Sequence, residues 1–140
     1  MALMWTEGMS VGVKEFDLDH QRLIRLIDDL QGVLHRHSDR GQIPPEAIET
    51  TLDELEKYFR GHCFREEQAM ARTGFPGLEE HREEHRWFIA RVTELAFQAR
   101  GSSSPDHGKE LVQFMFQWLA NHIIVTDRKY TEYLNRKGIH

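Results

Sequence analysis

The sequence predicts an all-α protein, an up-down-up-down antiparallel four-helix bundle with an extended N-terminal arm. Three observations carry this expectation. Apolar residues recur in steps of three and four along four separate stretches, segments rich in glycine, proline and serine part those stretches, and no long run alternates with the period of two that a strand requires. Helices of roughly 20 residues run about 30 Å, and short connections between them favour antiparallel neighbours.

Residues 1–16, which include MSVGV, read as an arm laid on the bundle, with a short strand as the alternative. The first helix is expected over about 18–37, with Asp17 as N-cap and a stripe of His20, Leu23, Ile24, Ile27, Leu30 and Leu34. SDRGQIPP ends it, and Pro45 is suited to the first position of the next helix, about 45–71. There the stripe is Leu52, Leu55, Phe59, His62, Glu66 and Ala69, stopped by TGFPG at 73–77. His81, His85, Phe88, Val92, Leu95 and Ala99 define a third helix over about 79–99, and GSSSPDHG breaks the chain again. The fourth, about 107–135, carries Leu111, Met115, Trp118, Leu119, His122, Val125 and Thr126 and reaches toward Tyr130 and Tyr133.

Composition narrows the function classes. A chain of 140 residues with 39% hydrophobic content is the size of one domain, and residues 1–140 are read as such. A net charge of -5, with Lys and Arg scattered, offers no footprint for nucleic acid or an anionic membrane. MALMWTEG lacks the basic and apolar regions of a signal peptide, and nowhere do about 18 apolar residues run together, so a soluble, cytoplasmic protein is expected. A single cysteine, Cys63, excludes cysteine-based zinc sites.

What a plain bundle does not explain is histidine where leucine would serve. HREEH at 81–85, taken alone, reads as a solvated charged face. Topology changes that reading, because in this bundle the start of the first helix, the end of the second, the start of the third and the end of the fourth meet at one end. His20, His62, His81, His85 and His122 all fall there, with Glu66 beside them. His35, His37, His107 and His140 fall elsewhere. Five inward imidazoles without partners would each cost on the order of 1–3 kcal/mol, a cost that metal removes. Nitrogen and carboxylate donors without thiolate suit iron, manganese, zinc or copper, and five histidines with carboxylates exceed what one tetrahedral ion takes. HREEH is not the HExxH zinc-protease motif, since Arg82 stands where that motif has glutamate.

DLDHQRLI at 17–24, HCFREEQAM at 62–70, HREEH at 81–85 and WLANHIIVTDRKY at 118–130 together resemble the hemerythrin family, specifically its single-domain bacterial members. The family is itself a familiar four-helix bundle, so this resemblance and the fold expectation are not independent. It implies a non-haem di-iron centre, with His81, His85 and His122 on one iron and His20 and His62 on the other. Glu66 and Asp127 would bridge both, together with a bridging oxo or hydroxo group. Those donors would fill eleven of the twelve positions of two octahedral irons, leaving one for dioxygen at the two-histidine iron. Leu23, Cys63, Trp118, Leu119 and Ile123 would line the oxygen pocket.

The resemblance implies reversible dioxygen binding for transport, storage or delivery rather than enzyme activity, with nitric oxide and small anions as further ligands. A sensor of oxygen, redox state or nitric oxide is the alternative, and a di-iron oxidase or peroxidase is less favoured. Ferritin-like di-iron enzymes use Glu-x-x-His pairs, and none occurs here. Two residues depart from a smooth fit. A five-residue step from His122 to Asp127 turns about 140° on an ideal helix, an offset that a π-bulge would reduce. Cys63 stands where relatives usually have phenylalanine, either as an inert buried thiol or as a change that loosens the pocket and speeds autoxidation.

Overall fold

A computed structural model describes residues 4–37 and 41–140. The first three residues of the expected arm and residues 38–40 of the first expected break lie outside it. The helices are α1 (Lys14–His37), α2 (Pro45–Thr73), α3 (Leu78–Arg100) and α4 (Pro105–Asn121), followed by a π-helical turn, His122–Asp127, and α5 (Arg128–Arg136). Asn121 and Asp127, at the two junctions, keep right-handed helical dihedrals, so α4, the π turn and α5 form one continuous rod. α1 packs on α2 and α4, and α3 packs on the same two, which closes a four-helix bundle. No strand occurs among the described residues.

The apolar stripes become the core. Leu23, Ile27 and Leu30 of α1, Leu52 and Leu55 of α2, Phe88 and Leu95 of α3 and Leu111 and Met115 of α4 are all buried. Each such side chain contributes about 1.5–3 kcal/mol through loss of contact with water. Phe88 ties the layers together, edge-on to Phe59 at 4.8 Å and stacked on Trp118 at 3.7 Å between ring centroids.

Asp17 does not cap α1, which begins at Lys14 because the Val13 carbonyl already accepts from the amides of Phe16 and Asp17. Its carboxylate instead accepts from the Val11 amide at 2.8 Å and from the Ser10 hydroxyl at 2.6 Å, and so fastens the arm. That arm is less extended than expected, with a 3-10 turn at Glu7–Met9 and with Met9, Val11 and Val13 buried. The Thr131 hydroxyl donates to the Val11 carbonyl at 2.6 Å, docking the arm on α5. At the end of α2, Gly74 adopts a left-handed conformation, φ 70°, and the Phe75 amide donates back to the Met70 carbonyl, a glycine stop of the Schellman type. α4 starts at Pro105, two residues before the expected position, because the Ser104 hydroxyl accepts the Asp106 amide and proline fits the first helical turn.

Gly108 marks a close approach of α4 to α1. A β-carbon there would lie 2.4 Å from Leu34 Cδ2, a buried side chain with little room to move. Gly108→Ala is therefore expected to destabilise the fold by about 1–3 kcal/mol in denaturant titration, from overpacking. Helix propensity alone would predict a gain of up to about 1 kcal/mol, so an increase in stability would refute this account of the contact.

Candidate metal centre

The bundle brings the expected residues to one end, inside it. His20 sits near the start of α1, His62 and Glu66 one turn apart on α2, His81 and His85 one turn apart at the start of α3, and His122 and Asp127 at the two ends of the π turn. All seven are buried, and His20, Glu66 and Asp127 have no exposure at all. The π turn explains Asp127. Ile123, Ile124, Val125 and Thr126 form a β-branched run that suits a regular helix poorly, and an i to i+5 turn carries Asp127 round to the face of His122.

The imidazoles aim their Nε2 atoms at the two carboxylates. Asp127 Oδ1 lies 3.0 Å from His81 Nε2 and 2.9 Å from His122 Nε2, and its Oδ2 lies 3.1 Å from His20 Nε2. Glu66 Oε1 lies 3.3 Å from His62 Nε2 and 3.2 Å from His85 Nε2. The ligand atoms fall into two groups, each gathered within 4.8 Å: His81, His85 and His122 with Glu66 and Asp127, and His20 and His62 with the same two carboxylates.

Several of these atoms are left without hydrogen bonds. Both Asp127 oxygens, Glu66 Oε1 and His81 Nε2 are buried and unpartnered, because the close approaches lack hydrogen-bond geometry. Orphaned buried carboxylate oxygens are costly, and a cation placed among them is what removes the cost. The donor set therefore fits metal: neutral nitrogen and anionic oxygen, dry, and convergent.

A surrounding layer, which the sequence reading missed, orients the ligand side chains. The Nδ1 atoms of His62, His85 and His122 lie 2.8, 2.7 and 3.0 Å from carboxylate oxygens of Asp19, Glu67 and Glu84. A carboxylate acceptor assigns the proton to Nδ1 and leaves the Nε2 lone pair facing inward. The Tyr130 hydroxyl donates to Glu66 Oε2 at 2.6 Å. Asp19 is anchored in turn by Tyr58 and by two nitrogens of Arg65, Nε at 3.0 Å and Nη2 at 2.8 Å. Burial works against its ionisation, but the bonds from His62, Arg65 and Tyr58 prevail and hold its carboxyl well below the usual range. Nothing in the one-dimensional pattern separates Asp19, Glu67 and Glu84 from solvated helix-surface acids, although each adjoins a stripe residue.

Leu23, Cys63, Leu119 and Ile123 are buried, and Trp118 is half-buried. Trp118 stacks on His122 at 4.2 Å, against the three-histidine group. Burial pushes the Cys63 thiol up, which keeps it protonated.

Without a cation the carboxylates pull protons onto the imidazoles. Burial disfavours the charged rings, yet the pull of the nearby Asp127 and Glu66 carboxylates outweighs it and raises His20 to about 10 and His81 to about 9. A group whose pKa rises on folding contributes stability in full below its unfolded value, about 6.5, and loses it as pH passes its folded value. The metal-free protein is thus expected to lose melting temperature between about pH 7 and 10, with the metal-loaded protein unaffected over that range. Parallel thermal melts test this, and a metal-free melting temperature that rises toward pH 10 would contradict it.

A family model, the hemerythrin HHE cation binding domain, matches residues 11–134. A bacteriohemerythrin of Stenotrophomonas maltophilia is 28% identical over 93% of this chain and 80% of its own. A myohemerythrin of Riftia pachyptila is 28% identical over 91% of this chain and 89% of its own. A crystal structure of wild-type hemerythrin, 22% identical, superposes with a TM-score of 0.76 over 96% of this chain and 98% of its own, which supports the fold. With its bundle, its clustered donors and a family match over nearly its whole length, the chain belongs to the hemerythrin family.

Proposed function

We propose that this protein binds dioxygen reversibly at a pair of non-haem irons. His81, His85 and His122 would hold one iron and His20 and His62 the other, with Glu66 and Asp127 shared. The observation that carries this reading is the division of the donors into two groups with those two carboxylates in common. Two irons sharing ligands would supply the two electrons that dioxygen takes up on binding and returns on release.

The chain's own residues define what that pair could do. Five neutral imidazoles against two carboxylates give little negative charge to stabilise high-valent iron, which favours binding over oxidation of a substrate. The buried Leu23, Leu119 and Ile123 keep water from the site, as a reversible carrier requires. Tyr130 holds Glu66 in place and, with its own pKa pushed well up by burial and by Glu66 and Asp127, stays protonated at working pH. Transport, storage or delivery of oxygen is the role we favour over sensing. No described helix is long and apolar enough to cross a membrane.

Spectroscopy tests the proposal. Iron-loaded, anaerobically reduced protein is expected to be nearly colourless, to gain visible charge-transfer bands in air and to lose them under argon. Bands that persist under argon would mean net oxidation and would favour a redox sensor or an enzyme. A second expectation concerns Asp19. Removing a carboxylate that orients a metal-bound imidazole typically lowers metal affinity 10–100-fold, so Asp19→Asn should weaken iron binding by about that factor with the bundle intact by circular dichroism. Unchanged affinity would remove Asp19 from the account.

A further inference from the structure

Between α1 and α2, beside His62, lies an open groove of about 430 Å³. Three cations border it, Arg22 from α1 and Lys57 and Arg65 from α2, against Glu54 on its rim and Asp19, which pairs with Arg65. That local positive excess stands out in a chain of net charge -5. Elsewhere Arg82, Arg86, Arg91 and Arg100 each lie within 3.4 Å of a carboxylate. Arg22 and Lys57 have no carboxylate within salt-bridge distance among the described residues.

Arg65 is positioned to serve two sides. Its Nε and Nη2 are engaged with Asp19, which leaves Nη1 over Gly61, where a β-carbon would come to 3.2 Å from it. Glycine is a poor residue for a helix interior, and here it keeps the groove floor open beneath that guanidinium. Leu26 and Tyr58 complete the floor with apolar and aromatic surface. The volume falls within the range of small-molecule sites, roughly 300–1,000 Å³. Arg22 and Lys57, without salt-bridge partners among the described residues, and the unengaged Nη1 of Arg65 border one groove, and guanidinium and ammonium groups so placed are the usual complement of a phosphate.

We propose that this groove binds a small phosphate-bearing anion through Arg22, Lys57 and Nη1 of Arg65, and that its occupancy is felt at His62 through Asp19. The second half rests on the metal reading above; the first does not. Negative charge placed on Arg65 competes with Asp19 for the same guanidinium, and Asp19 in turn fixes the His62 ring.

Inorganic pyrophosphate is the probe, titrated calorimetrically at low salt into the protein as purified, with its metal content measured in parallel. One-to-one binding is expected, weakened at least about tenfold in the Arg22→Gln/Lys57→Gln double variant, whose changes are exposed and leave the contact between Arg65 and Asp19 in place. Absence of binding at millimolar pyrophosphate, or equal binding by the variant, overturns the site; equal binding would instead mean direct attachment to metal. Association with phosphatidylglycerol vesicles but not with pyrophosphate also overturns it, in favour of a membrane surface. For the coupling, saturating pyrophosphate is expected to change ferrous affinity at least about threefold in the parent and not in the variant. No change in the parent overturns the coupling while leaving the groove result to stand alone. Because the difference between parent and double variant reads the groove whatever metal is present, failure of the iron reading and failure of this site give different results.

Discussion

Two carboxylates without solvent exposure, Glu66 and Asp127, share the interior of this bundle, and the surrounding architecture answers their charge. At an effective dielectric of about 20, two like charges near 4 Å apart repel by roughly 4 kcal/mol before any desolvation is counted. Such a pair persists only if positive charge is delivered to it. Five imidazoles converge for that purpose, and the raised pKa values of His20 and His81 reflect how strongly the carboxylates draw protons when nothing else is available. Metal cations meet the demand better, because they engage nitrogen lone pairs and carboxylate oxygens together.

The fold delivers those groups through a few local devices. Antiparallel order places the relevant ends of four helices side by side, and the glycine stop at Gly74 returns the chain quickly enough for His81 to approach Glu66. The π turn brings Asp127 to the face of His122. Asp19, Glu67 and Glu84 then fix three of the five rings, whereas His20 Nδ1 is buried without a partner. His20 is therefore oriented by its packing and by Nε2 alone. The apolar end of the bundle, where Gly108 meets Leu34, supplies packing stability remote from this polar end.

The bundle was legible in the sequence because each helix repeats its apolar period several times and each break contains glycine or proline. The convergence of the histidines was legible because topology alone assigns stripe positions to bundle ends. Asp127 was not legible from spacing, since an ideal helix turns it away, and only family resemblance with an anticipated π-bulge kept it among the candidates. The start of α1 was misplaced because Asp17 has the composition of an N-cap but is used to fasten Ser10 and Val11 of the arm. Asp19, Glu67 and Glu84 were invisible because an acid bonded to a buried imidazole and an acid facing water look alike in one dimension.

The cluster is proposed to be a two-metal site with shared carboxylates. Anaerobic titration of metal-stripped protein with ferrous iron, followed by metal analysis after desalting, tests it most directly. Two irons are expected to be retained per chain in the parent and fewer than two in Asp127→Ala, because that oxygen pair serves both groups. Retention of a single iron by the parent, or of two by Asp127→Ala, would contradict it.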